Sequence, residues 1–172
     1  DLIVLGGGAA GIFAAINAKL TYPTANILLL EKNAVLLTKV RISGGGRCNV
    51  TNACFEPKQL VKNYPRGEKE LLGPFHVFGP ADTIKWFESK GVLFKTEADG
   101  RIFPQTDQSE TIIQALLQEA YKLAVIIKLT EHIEILENNT SYFTLRTHTQ
   151  ETYQATNLLL ATGSSPQGYQ WA

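Results

Sequence analysis

Leu2-Ile3-Val4-Leu5-Gly6-Gly7-Gly8-Ala9-Ala10-Gly11 is the stretch whose reading decides the fold. Four apolar residues in a row read as a short buried strand. Gly6, Gly8 and Gly11 then fit G-x-G-x-x-G directly behind it. Ile12, Ala15, Ile16 and Leu20 continue at roughly helical spacing, and Tyr22-Pro23 ends that helix. Ile27-Leu28-Leu29-Leu30 reads as a second buried strand, closed by Glu31. Together these pieces make one βαβ unit of the expected size, roughly 30 residues.

Each residue type in that unit has a physical task. Gly6 lets the chain turn sharply off the strand. Gly8, with no Cβ, lets backbone N–H groups approach a pyrophosphate, and Gly11 lets the helix pack closely on the sheet. Ala9 and Ala10 open the helix, whose first N–H groups and partial positive charge favour phosphate. Glu31 stands 20 residues past Gly11, where a carboxylate accepts hydrogen bonds from ribose hydroxyls and repels a 2′-phosphate. The reading is a dinucleotide-binding α/β domain of Rossmann-like type, with a central parallel sheet, rather than a merely glycine-rich turn.

A second loop follows. Ser43-Gly44-Gly45-Gly46-Arg47-Cys48-Asn49 sets three glycines between Arg41 and Arg47. Glycines free backbone N–H groups to converge and the cations supply charge, so this is a second candidate anion loop. Lys32, next to Glu31, joins the candidate cofactor contacts. No convincing acid/base pair is visible. Arg47 and Asn49 are the candidates for groups beside a reactive centre, and Arg47 is positioned in sequence to lower the pKa of Cys48. A structural role for Cys48 is the favoured alternative.

Further along, Pro57, Pro65, Pro74 and Pro80 break residues 55–91 into short helical pieces. Ala98-Asp99-Gly100 between two apolar runs predicts a hairpin that Pro104 stops. Asp107 and Glu110 have capping-box spacing ahead of an amphipathic helix. Val125-Ile126-Ile127 reads as a third central strand, Glu131–Gln154 as a small antiparallel meander turning at Asn138-Asn139, and Asn157–Ala161 as a buried strand running into Thr162-Gly163.

The composition excludes several classes. The chain has 16 Lys+Arg against 16 Asp+Glu, so no electrostatic partnership with nucleic acid or an anionic membrane is expected. It has no apolar run long enough for a transmembrane helix. Cys48 and Cys54 have neither redox nor zinc spacing, and His76, His132 and His148 are scattered, so no metal site is expected. Free thiols fit reducing cytoplasm. There is no methionine, and the chain ends just after another glycine-bearing turn. The expectation is an N-terminal portion of a longer protein.

Four motifs together carry a resemblance: GGGAAG at 6–11, SGGGRCNVTN at 43–52, GRIFPQTDQSETI at 100–112 and LLLATG at 158–163. The chain resembles the HI0933-like family, also called BaiN-type or aminoacetone oxidase flavoproteins, of the glutathione-reductase-type superfamily. The resemblance implies FAD as the dinucleotide, with Gly6–Gly11 at its pyrophosphate and Glu31 at its ribose. It places Ser43, Gly44, Gly45, Arg47, Cys48 and Asn49 along the pyrophosphate toward the flavin, and Ala161, Thr162 and Gly163 as the second contact. Where many members carry a second glycine after Ala-Thr-Gly, this chain has Ser164.

The resemblance further implies one incomplete FAD-binding domain over 1–172, with a helical and hairpin subregion at 55–104. A substrate domain and a C-terminal segment would lie outside it. The implied activity is hydride or electron transfer through flavin from a small-molecule substrate, with NAD(P)H as a possible electron donor. The residues themselves also admit an NAD-dependent dehydrogenase or a nucleotide-binding portion without turnover of its own. Substrate and oligomeric state are not legible.

Overall fold

A computed structural model describes residues 1–172. In chain order the elements are β1 (Leu2–Leu5), α1 (Ala9–Thr21), β2 (Ile27–Leu30), α2 (Thr38–Ile42), β3 (Thr51–Asn52), α3 (Pro57–Leu60), α4 (Glu68–Val77), α5 (Pro80–Glu88), β4 (Phe94–Thr96) and β5 (Arg101–Pro104). They continue as α6 (Ser109–Lys122), β6 (Ile126–Lys128), β7 (Ile133–Asn138), β8 (Phe143–Thr147), β9 (Thr152–Ala155), β10 (Asn157–Leu160) and α7 (Pro166–Trp171). The chain forms two compact units, one from Asp1–Lys39 with Leu116–Ala172 and the other from Val40–Ala115.

In the first unit, β10-β1-β2-β6 make a four-stranded sheet whose pairings are all parallel. Such strands are buried on both faces and so read as continuous apolar runs, as LIVL of β1 and ILLL of β2 do. β10, expected to be buried, is instead an outer strand with Leu158 and Leu160 half-buried and Leu159 exposed. The expected third strand is present, shifted by one residue to Ile126–Lys128. It is the outer strand beyond β2, with Ile126 about half exposed. The antiparallel sheet β7-β8-β9 packs on the parallel one, and Ile3, Leu5 and Leu30 meet Ile133, Leu145 and Ala155 in one buried cluster. Val4 and Leu29 alternate to the other face, and α1 buries Gly11, Ile12, Ala15 and Ile16. Each fully buried aliphatic side chain contributes roughly 1.5–3 kcal/mol, so this two-sided burial holds β1 and β2 in place.

The second unit carries the hairpin β4-β5, extended by β3 on the far side of β5. The Asp99-Gly100 turn is as expected, with Gly100 at φ +85. Two sequence expectations change here. The helix at 68 runs through Pro74 to Val77, and the Phe75 ring packs on Tyr64 at 5.4 Å between centroids. Asp107 does not cap α6. It has φ +54, and its carboxylate turns to the Lys95 ammonium rather than to the helix. The helix begins at Ser109, whose hydroxyl donates to the Arg41 carbonyl at 2.8 Å. A charged partner across the hairpin outweighs a cap read from spacing alone.

Candidate functional site

In the first unit the site is built at the carboxyl ends of β1, β2 and β10. Gly6 leaves β1 at φ +116, where a Cβ would meet the Ala161 carbonyl oxygen at 2.4 Å. The Ala161 amide donates to Leu5 O at 2.9 Å, so the turns after β1 and β10 lie against each other. A Cβ on Gly11 would come within 1.9 Å of Gly6 O, and one on Gly7 within 2.2 Å of the Leu36 side chain. A Cβ on Gly8 meets nothing within 4 Å. Gly6 and Gly11 are thus demanded by the protein's own backbone packing, Gly7 meets chiefly the movable end of the Leu36 side chain, and Gly8 faces open space.

That space lies at the start of α1. Gly8 is the N-cap with extended backbone, no side chain caps the helix, and the first turn carries no acid. Helix-start N–H groups beside an uncrowded glycine suit a phosphate group on geometric and electrostatic grounds. Ala9 and Ala10, the first helical residues, are exposed.

Glu31 is 8% exposed. One carboxylate oxygen accepts from the Gly7 amide at 2.7 Å. The other accepts from the Asn33 amide at 2.8 Å and the Asn33 side chain at 2.6 Å. An ionised carboxylate offers about four lone-pair sites, so three bonds leave acceptor capacity for a sugar hydroxyl. The acid therefore does something the sequence did not show: it ties the end of β2 to the glycine loop. Lys32, its neighbour, is exposed.

Ala161, Thr162 and Gly163 close the arrangement from the β10 side. Gly163 has φ +59, and a Cβ on Gly168 would strike Thr162 Oγ1 at 1.8 Å, so α7 sits tightly on Thr162. Lys39 donates to Ser164 Oγ at 2.7 Å, beside Gly163. No sequence signal singled out Lys39. Its partner lies 125 residues away, and only the return of β10 beside β1 brings the two together.

The remaining sequence candidates fall in the second unit. Gly44, Gly45 and Gly46 all have positive φ (+56, +68 and +87), and so does Cys48 at +61. The loop is closed by the Cys48 amide to Ser43 O at 3.0 Å, and Ser43 Oγ donates to Val40 O at 2.8 Å. Asn49 is exposed, and its amide nitrogen lies 2.7 Å from where a Gly44 Cβ would stand. Cys48 is buried, and burial pushes its thiol up, against a smaller opposing effect of Ser43. Arg47 does not favour a Cys48 thiolate, the less favoured sequence alternative, because its guanidinium goes instead to Glu97 at 2.6 Å. Cys48 is structural in this geometry.

His132 and His148, scattered in sequence, come to 6.0 Å between ring centroids. No group of three or more His, Cys, Asp or Glu side chains is arranged to hold a metal. No helix is long and apolar enough to cross a membrane.

With this geometry in place, comparison decides the family. The HI0933-like protein Rossmann domain matches residues 1–172, the whole chain. The chain belongs to the HI0933-like family. It is 31% identical over 160 residues to a Clostridium scindens protein named 3-dehydro-bile acid delta(4,6)-reductase, covering 93% of this chain and 38% of that one. It is 29% identical over 180 residues to the Escherichia coli ribosomal RNA dihydrouridine synthase, covering 100% of this chain and 43% of that one. The chain thus spans about two-fifths of these curated relatives.

Among solved structures, 3-ketosteroid-delta4-(5alpha)-dehydrogenase from Rhodococcus jostii RHA1 superimposes with a TM-score of 0.66 at 17% identity, over 91% of this chain and 44% of that one. The open form of a flavocytochrome c3 fumarate reductase gives 0.57 at 20% identity, over 91% of this chain and 32% of that one. These likenesses show the fold: a Rossmann-like domain with a central parallel sheet and separate antiparallel strands.

Proposed function

We propose that this HI0933-like chain is the FAD-binding portion of an oxidoreductase that passes a hydride or electrons between a small-molecule substrate and the flavin. The observation that carries the proposal is the open position at Gly8. It lies between glycines the protein fills itself, at the uncapped, acid-free start of α1. The residues fit a dinucleotide: Gly8, Ala9 and Ala10 would receive the pyrophosphate, Glu31 the ribose, and Lys39 would add positive charge next to Gly163.

FAD supplies the redox chemistry when bound, and the chain's work is to hold and orient it. The α1 start neutralises phosphate charge with backbone N–H groups that need no reorganisation on binding. Glu31 keeps the loop in register with β2 through the Gly7 amide. The Ser43–Asn49 loop of the second unit is proposed as a further cofactor contact on its motif and its run of left-handed glycines. A reductase name on the Clostridium scindens relative and the even balance of 16 cations and 16 anions both favour a small-molecule substrate over a polyanion. A nicotinamide nucleotide is the proposed external electron donor.

An absorption spectrum and cofactor extraction test the reading. The purified protein should show flavin absorbance and release FAD on denaturation. A colourless protein that also fails to bind added FAD overturns it.

A further inference from the structure

Arg47 stands 50 residues from Glu97 in sequence, yet it is held in the second unit by a continuous charged cluster. Its guanidinium donates to Glu97 at 2.6 Å and lies 4.0 Å from the centroid of Phe103, a fully buried ring on β5. The same ring edge would stand 3.0 Å from a Cβ on Gly44. Arg47 and Gly44 therefore rest on one rigid platform, three residues apart along the loop.

Glu97 also binds Arg101 at 3.0 Å, and Arg101 binds Asp99 at 2.7 Å. Lys95 pairs with Asp107, whose second oxygen is buried, has no hydrogen-bond partner and sits 3.6 Å from Arg47. That distance is too long for a hydrogen bond but short enough for one to form after a small shift. The cluster holds three cations, Arg47, Lys95 and Arg101, and three anions, Glu97, Asp99 and Asp107. It sums to zero, so Arg47 projects little net field onto a neighbouring ligand. Its planar fork, bonded on one side and stacked on the ring, suits a mechanical task.

We propose that Glu97 and Asp107, acting through Arg47 on the Phe103 ring, are positioning residues that fix the Ser43–Cys48 loop in its left-handed shape for the cofactor. This rests on the reading of that loop as an FAD contact. It makes the two specific motifs, at 43–52 and 100–112, halves of one device. Glu97 is the primary anchor and Asp107 the reserve: when Glu97 is removed, Arg47 has a second, unsatisfied carboxylate within reach.

The test uses the full-length protein. Amide exchange at Cys48, whose N–H is bonded to Ser43 O, is followed without flavin, and FAD affinity is titrated separately. Glu97→Gln and Asp107→Asn alone should each change both readings by about threefold or less, the size of a partly exposed ion pair. The double variant should exceed the product of the two, reaching on the order of tenfold or more in faster exchange and weaker FAD binding, because the spare anchor is gone. Arg47→Lys keeps the charge but loses the fork and the stack. Positioning predicts that it loosens the loop, and a purely electrostatic Arg47 predicts no change.

Unchanged Cys48 exchange in the double variant overturns the proposal, as does faster exchange with undiminished FAD affinity. If the wild-type protein binds no FAD, the functional reading fails instead. The flavin-free exchange comparison then still decides whether the clamp holds the loop.

Discussion

The two glycine loops of this chain reach similar backbone freedom by opposite means. In the first unit, Gly6 and Gly11 are required by contact, since added Cβ atoms would stand 2.4 and 1.9 Å from backbone oxygens. In the second, Gly45 and Gly46 have open space around them and are required by backbone conformation alone, at φ +68 and +87. One loop is shaped by steric exclusion around a buried sheet edge. The other is shaped by left-handed turns and anchored by ion pairs. Steric shape is insensitive to salt and pH, whereas charge anchoring is not, so the two loops should fail differently.

The largest effect is expected at Gly11. A methyl group there would lie 1.9 Å from Gly6 O, which is backbone and cannot move aside. Gly11→Ala should destabilise the protein by about 3 kcal/mol, in the overpacking range, and abolish dinucleotide binding. Thermal melting and an FAD titration check both. A Gly11→Ala protein as stable as wild type would mean that α1 and β1 are not packed as described.

Glu31→Gln comes next. The buried Gly7 amide and the two Asn33 donors share the carboxylate. An amide in its place sets an NH2 group against one of those donors, and leaving a buried donor unsatisfied costs roughly 1–3 kcal/mol. The same protein should bind FAD more weakly. Gly8→Ala sharpens the contrast. With nothing within 4 Å of the new methyl group, stability should change by no more than about 0.5–1 kcal/mol. Dinucleotide affinity should nevertheless fall, because the methyl occupies the space offered to the phosphates. Unchanged FAD affinity in a stable Gly8→Ala protein would move the cofactor away from this turn.

Gly45→Ala should cost about 1–2 kcal/mol, the strain of a left-handed non-glycine residue with no clash added. Gly44→Ala should cost more, because its methyl would also press on the Asn49 amide at 2.7 Å and on Phe103. Denaturant midpoints for the pair separate conformational strain from steric conflict within one loop.

What could be read from the sequence divides along the same line. The βαβ fingerprint was legible because its determinants are local: an apolar run, glycine spacing and an acid at the next strand end all lie within residues 2–31. The hairpin at Asp99-Gly100 was legible for the same reason. Arg47–Glu97 and Lys39–Ser164 were not, because they join residues 50 and 125 apart that only the finished fold brings together. Asp107 was misread as a helix cap because spacing carries no information about Lys95 across the hairpin. Glu31 was placed correctly at the strand end, but its hold on Gly7 required coordinates.

The smallest effect is electrostatic and belongs to the second loop's anchor. The Lys95 ammonium, and beyond it Arg47, hold the Asp107 carboxyl below the usual carboxylate range. A carboxyl whose pKa is depressed on folding adds stability above its unfolded pKa, near about 4. That stability is lost as pH falls through the depressed folded value. Wild type should therefore exceed Asp107→Asn in stability at neutral pH by a small margin, since the pair is partly exposed and screened. The margin should close in acid, below about pH 4, and shrink with added salt, while the Gly11→Ala deficit stays constant under both. A margin that survives acid and high salt would overturn the charged anchor, since Asn tolerates the left-handed backbone at 107 as well as Asp does and only the charge differs.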